Sequence, residues 1–198
     1  MHSCITQATS GSTFFRQLSL QLEERTLYWE GRTGRLARLA AQTNETAGKP
    51  VDPVQLEAAI YMHDIGMSFL SESIWTKHGR LTDRAMQELR RHPSLGAGLM
   101  TRMSGWEEAA EIVEQHHERL DGTGYPKGLT EQNILHGAKL IAVLDAFEAM
   151  THQRIDRQYK KSIMRAMGEL NACDHQFSPQ WVQAFNKVIH SSLTNVVN

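Results

Sequence analysis

Residues 58–69, AAIYMHDIGMSF, set a histidine and an aspartate inside an apolar run. A run of that kind packs in the interior, where an unpaired carboxylate is costly and must find a charged partner, a hydrogen bond or a metal ion. A second run repeats the problem. GAKLIAVLDAFEAMT (137–151) is long and apolar enough for a buried helix, yet it carries Asp145 and Glu148. Whatever the chain folds into must bring compensation to these carboxylates.

The surrounding periodicity is helical. Phe15, Leu18, Leu22, Leu36 and Leu39 have helical spacing between Phe14 and about Ala47, with Gly31 and Gly34 as the expected breaks. Asp52 and Pro53 form an N-cap and a first helical residue for a helix reaching about Ile65. Thr82 or Asp83 caps the next helix, His92–Pro93 opens another, and Trp106–His117 forms a further one. Helices at about Gln158–Asn171 and Pro179–Ser191, the latter capped by Ser178, follow the apolar run. Between the Trp106–His117 helix and the apolar run, ERLDGTGYPKGLTE (118–131) reads as a Gly/Pro-rich loop. No alternating β pattern intervenes, so the expected fold class is all-α. A single helical bundle over residues 14–198 follows a flexible, Ser/Thr-rich segment at 1–13, and 198 residues suit one such domain.

Charge and cysteine content exclude several function classes. Twenty-one basic and 22 acidic residues leave a net charge of −1, which recommends neither a nucleic acid polymer nor an anionic membrane as partner. No stretch approaches the length of a membrane-spanning helix, and the polar N-terminus lacks an apolar signal core. The two cysteines, Cys4 and Cys173, lack metal-binding spacing, and a reduced, cytoplasmic protein is expected.

Ligand-type side chains fall at four places on or beside the apolar helices: His63–Asp64, His92, His116–His117 and Asp145. Singly, each is a weak signal: a lone helix histidine is more often a hydrogen-bonded structural residue than a ligand, and a single buried Asp equally caps a helix or pairs with an arginine. Together they supply nitrogen and oxygen donors without thiolates, a set suited to Fe, Mn, Ni or Zn. Four imidazoles and two carboxylates exceed the needs of one ion, and a carboxylate such as Asp64 can bridge two. Helices distant in sequence converge on such sites in bundle cores.

With HDIGM at 63–67, LTDRAMQELRRHPSLGAGLM at 81–100, EIVEQHHERLDGTGYPKGL at 111–129 and GAKLIAVLDAFEAMTHQR at 137–154, the chain resembles the HD-GYP family of the HD phosphohydrolase superfamily. The resemblance implies an HD-type helical bundle with a metal centre in its core, acting as a metal-dependent phosphodiesterase. The implied substrate is cyclic di-GMP or a related cyclic dinucleotide, cut to the linear dinucleotide or to GMP. It assigns His63, Asp64, His92, His116, His117 and Asp145 to two divalent transition-metal ions (Fe, Mn or Ni), with Asp64 bridging them and supporting the attacking hydroxide. It assigns Arg154 and Arg157 to the substrate phosphates, where a guanidinium fork suits the chemistry. Two solvated surface arginines would read the same way from the residues alone. Gly124, Tyr125 and Pro126 form the name-giving loop, read either as a protein-partner contact or as a plain turn.

Departures from the family pattern cluster. Arg32 stands where the first-helix histidine is expected, and Tyr28 where a third-metal glutamate would be. Met67 replaces a lysine, Glu148 an aspartate, and Ile155–Asp156 the usual Pro-Tyr. The expectation is two ions at most, with the ion of His63, Asp64 and Asp145 weakened. Either water or Arg32, acting as a fixed cation, takes the missing ligand's place. The alternative function is a weak or inactive module that binds a cyclic dinucleotide or a signalling partner.

Overall fold

Ten helices account for the architecture in the computed structural model, which describes residues 2–26, 28–75, 79–153 and 159–197. They are α1 (His2–Arg25), α2 (Arg32–Thr46), α3 (Pro53–Met62), α4 (Glu72–Trp75), α5 (Asp83–Leu89), α6 (His92–Met100), α7 (Glu107–Gln115), α8 (His136–Thr151), α9 (Ile163–Ala172) and α10 (Pro179–Val197). Among the described residues the β content is one isolated bridge, Asp121 to Thr130, inside the Gly/Pro-rich loop. The fold is all-α, as the periodicity requires.

Helices α3 and α8 are the apolar runs, and the bundle is built around them. α3 packs against α1, α2 and α7, while α8 packs against α2, α7, α9 and α10. Leu36, Ile60, Ile112, Leu140, Trp181 and Phe185 are fully buried in one continuous core. Asp52 caps α3 by accepting from the amides of Val54 and Gln55, each at 2.9 Å, with Pro53 at its first position. Thr82 caps α5 and Ser162 caps α9.

Several boundaries differ from expectation for physical reasons. Gly31, at φ 68°, breaks the first stretch, whereas Gly34 lies within α2. α3 stops at Met62, and a 3₁₀ turn over Ile65–Phe69 follows. Gly66 permits this turn, because a Cβ there would sit 1.9 Å from the His92 carbonyl oxygen and 2.9 Å from the Gly96 amide nitrogen. The backbone of the turn thereby rests directly on α6. Met67 is buried in a satellite apolar cluster with Leu22, Leu70 and Ile74. α9 begins at Ile163 rather than near residue 158, and α10 continues to Val197. Helical backbone begins at His2, within the segment expected to be loose. No helix among the described residues is long and apolar enough to cross a membrane.

Candidate metal centre

Three histidines are set by the same local device. His63 and His116 cap the C-terminal ends of α3 and α7, and His92 opens α6 directly after α5. Helix ends leave carbonyls without intrahelical partners. Each imidazole uses one: the Nδ1 atoms of His63, His92 and His116 lie 2.7, 2.8 and 2.6 Å from the carbonyl oxygens of Ile60, Leu89 and Val113. A carbonyl only accepts, so a proton is on each Nδ1, and in His92 and His116, which burial keeps neutral, Nε2 keeps its lone pair.

Those lone pairs converge. Nε2 of His92 and Nε2 of His116 lie 3.3 Å apart, close enough for both to bind one ion lying beside them. His117 packs beside both rings, with centroids 5.0 Å from His92 and 4.1 Å from His116. Burial, reinforced by the neighbouring His117, His92 and His63, pushes His116 well below the usual imidazole range. Burial lowers His92 too, against the opposing pull of Asp64. Burial and His92 bring His117 down to about 4. At neutral pH these three rings are bases with unshared lone pairs, as metal coordination demands.

Asp64 completes the set. One donor atom each from Asp64, His92, His116 and His117 lies within 4.8 Å of the others. These donors fit one divalent transition-metal ion. The two oxygens of Asp64 face different ways. Oδ1 lies 3.4 Å from His92 Nε2. Oδ2 accepts from Arg32 Nη1 at 2.7 Å and lies 3.0 Å from His63 Nε2. The latter contact lacks hydrogen-bond geometry, so Nε2 of His63 is buried without a hydrogen-bond partner.

Asp145, expected beside these donors, is instead held by the other arm of the same guanidinium, with Arg32 Nη2 donating to Oδ1 at 2.5 Å. Burial raises the carboxyls of Asp64 and Asp145, but for Asp64 the nearby His63 and Arg32, and for Asp145 Arg32, more than reverse this, and both titrate below the usual range. Arg32 thus takes one oxygen of each carboxylate, Asp64 Oδ2 and Asp145 Oδ1, among the donors expected for a second ion with His63.

Arg32 is fixed from several sides. The buried carboxylate of Glu23, on α1, accepts from the amides of Gly31 (2.9 Å) and Thr33 (2.5 Å) and so caps the start of α2. The Arg32 amide donates to the Trp29 carbonyl at 2.8 Å, and its guanidinium lies 4.4 Å over the Trp29 ring. One turn on, Arg35 donates to Glu148 at 2.9 and 2.5 Å, and His152 Nδ1 lies 3.0 Å from the other Glu148 oxygen. Two arginines of α2 thus meet two acids of α8, rung for rung. Glu23, Trp29 and Arg35 were not singled out by sequence, since nothing local marks a glutamate on one helix as the cap of the next.

The Gly/Pro-rich loop closes one side. Glu118, buried directly after the paired histidines, accepts from the amides of Lys127 (2.7 Å), Gly128 (3.1 Å) and Leu129 (2.9 Å). Gly124 is required by close approach, since a Cβ there would meet the Arg119 nitrogen at 2.4 Å and the Glu118 Cα at 2.5 Å. The Tyr125 ring stacks on His117, with centroids 4.8 Å apart, and Arg90 lies 5.4 Å from its centroid on the Tyr125 face. A cavity of about 260 Å³ opens here, lined by Arg90, His117, Arg119, Tyr125 and Asp145. Arg154 and Arg157 lie outside the described residues.

Comparison with known proteins agrees with this geometry. The HD domain family model matches residues 17–179. A cyclic di-GMP phosphodiesterase of Pseudomonas aeruginosa is 38% identical over 148 residues, covering 70% of this chain and 34% of the relative. A cyclic di-GMP phosphodiesterase of Thermotoga maritima is 31% identical over 185 residues, covering 90% of this chain and 49% of the relative. The chain therefore spans between a third and a half of the length of these curated relatives. Among solved structures, an HD-GYP-type protein from Bdellovibrio bacteriovorus superposes with a TM-score of 0.64 at 21% identity, covering 84% of this chain and 53% of that one. That likeness speaks to the fold.

Proposed function

The chain belongs to the HD domain family, and on that premise we propose that it is a metal-dependent phosphodiesterase acting on cyclic di-GMP or a related cyclic dinucleotide. The observation that carries this reading is the convergence of unshared imidazole lone pairs from His92 and His116 beside Asp64 and His117, at the edge of a cavity with two arginines. Asp64 Oδ1, His92, His116 and His117 would hold a divalent ion; iron, manganese and nickel all suit such donors. Bound there, the ion supplies Lewis-acid chemistry, polarising a phosphoryl oxygen and activating water at neutral pH.

The remaining tasks fall to the chain. The Nδ1–carbonyl bonds hold His92 and His116 in one tautomer, and Tyr125 braces His117. Arg90 and Arg119 bring positive charge to the cavity wall, where a phosphodiester carries its negative charge. We assign the same task to Arg154 and Arg157, following the family resemblance. The cavity is smaller than the roughly 300–1,000 Å³ of ordinary small-molecule sites, so one phosphodiester enters while the rest of a cyclic dinucleotide lies across the mouth. The charged end of a lysine is missing at Met67, which sits in apolar packing, so no ammonium from that position protonates the leaving oxygen. Slow turnover follows. In this reading residues 14–198 form the catalytic domain, and Gly124, Tyr125 and Pro126 brace the site, with partner contact a second use of the same loop.

The test is product chromatography with protein loaded with Mn, Fe or Ni. Linear dinucleotide is expected from the intact chain and none from His116→Ala; no product with any metal contradicts the reading. Arg32, occupying two carboxylates, favours one alternative, a module that binds the nucleotide without cutting it. Calorimetric binding in the absence of hydrolysis identifies that case.

A further inference from the structure

We propose that Arg32 is a built-in cation that replaces a second metal ion, so that the site takes a single ion, held by Asp64, His92, His116 and His117. This inference rests on reading those four residues as a metal site. Three observations converge on it.

The first is division of labour within one carboxylate. Asp64 turns Oδ2 to Arg32 and Oδ1 toward His92, so the guanidinium and the four-donor cluster each use their own oxygen. The second is the bidentate reach of Arg32. Its two terminal nitrogens span Asp64 and Asp145, joining the two carboxylates as a shared cation would. A planar fork suits that span, and a guanidinium stays charged at any ordinary pH. The third is that the side chain is positioned rather than merely present. It is 10% exposed, lies over Trp29, and leaves a helix start tied down by the Glu23 carboxylate. The neighbouring Arg35–Glu148 rung holds α2 against α8 at the same register. For a second ion to enter, Arg32 would have to leave a buried position, abandon both carboxylates and accept a dication as neighbour.

Metal counting on manganese-loaded protein tests this, with low-temperature electron paramagnetic resonance on the same samples. The intact chain is expected to hold one ion per chain, with the hyperfine pattern of isolated Mn(II). His116→Ala is expected to lose it, and Arg32→His to hold two ions with the spectrum of an exchange-coupled pair. Two coupled ions in the intact chain would overturn the inference while leaving the phosphodiesterase reading intact. One ion in both the intact chain and Arg32→His would overturn the role given to Arg32. An ion retained by His116→Ala lies elsewhere and also overturns the inference. No ion in the intact chain removes the metal site itself, and with it the proposed function. If Arg32→His does not fold, the count and spectrum of the intact chain still decide.

Discussion

Arg32 shows how much a single position can redirect a site. The sequence marks it as a departure from the family pattern, and leaves open whether water or the arginine itself takes the histidine's place. Only the three-dimensional arrangement decides, because the answer depends on Glu23 capping α2 and on Asp145 arriving from α8. Removing one partner of a buried charge cluster strands the others, typically at a cost of about 3–5 kcal/mol. Arg32→Ala is therefore expected to lower the stability of ion-free protein by that order, and added manganese to restore part of it; denaturant melts with and without chelator check both. Protonation matters at this scale too. Burial holds His117 at about 4 in the native chain, whereas an unfolded histidine titrates near its ordinary 6.5. Between those values the unfolded chain binds more protons than the native one, so stability falls as the pH drops from about 6.5 toward 4, at up to about 1.4 kcal/mol per pH unit for such a group. Urea midpoints of chelated protein at pH 7 and pH 5 should show that loss. Met67 carries the opposite lesson. Its apolar identity was plain, but the 3₁₀ turn that places it in the Leu22 cluster depends on Gly66 meeting α6, a long-range contact.

Elements contribute through their ends. The helix cores were legible because apolar periodicity is a local signal, and the caps at Asp52 and Thr82 were legible because capping chemistry is local as well. Imidazoles of the candidate site sit where helices stop, at His63 and His116, where a spare carbonyl can accept an imidazole N–H. The loop after His117 was readable as a loop, but not as a folded bracket. Glu118 makes it one, by accepting three amides with a single buried carboxylate. Hydrogen bonds to a charged group are worth about 1.5–3 kcal/mol each, without simple additivity. Glu118→Ala is expected to cost at least about 3 kcal/mol and to release hydrogen-exchange protection at Lys127, Gly128 and Leu129. Gly124→Ala should disturb the same amides through backbone collision, with Tyr125 displaced from His117. At the other side of the site, Gly66→Ala should push the 3₁₀ turn off α6 and move His92. Weaker metal affinity in a chelator competition, with helix content preserved, is the expected result.

Across the whole molecule, two apolar helices carrying acids set the plan. α3 delivers His63 and Asp64 at its end, α8 delivers Asp145 and Glu148 along its length, and α2 lies against both with Arg32 and Arg35. All-α class was readable from the composition of the runs, and the set of six candidate donors from family likeness. The placing of four together, with His63 beside Asp64 and Asp145 held by Arg32, was not, since it rests on helix packing rather than on spacing. A bundle in which metal and guanidinium share one aspartate is therefore expected. Anomalous diffraction from a crystal of the manganese-loaded chain tests this most directly. A single peak is expected among Asp64, His92, His116 and His117, with Arg32 still paired to Asp145. No peak there, or a second peak between Asp64 and Asp145 with Arg32 expelled, would contradict it.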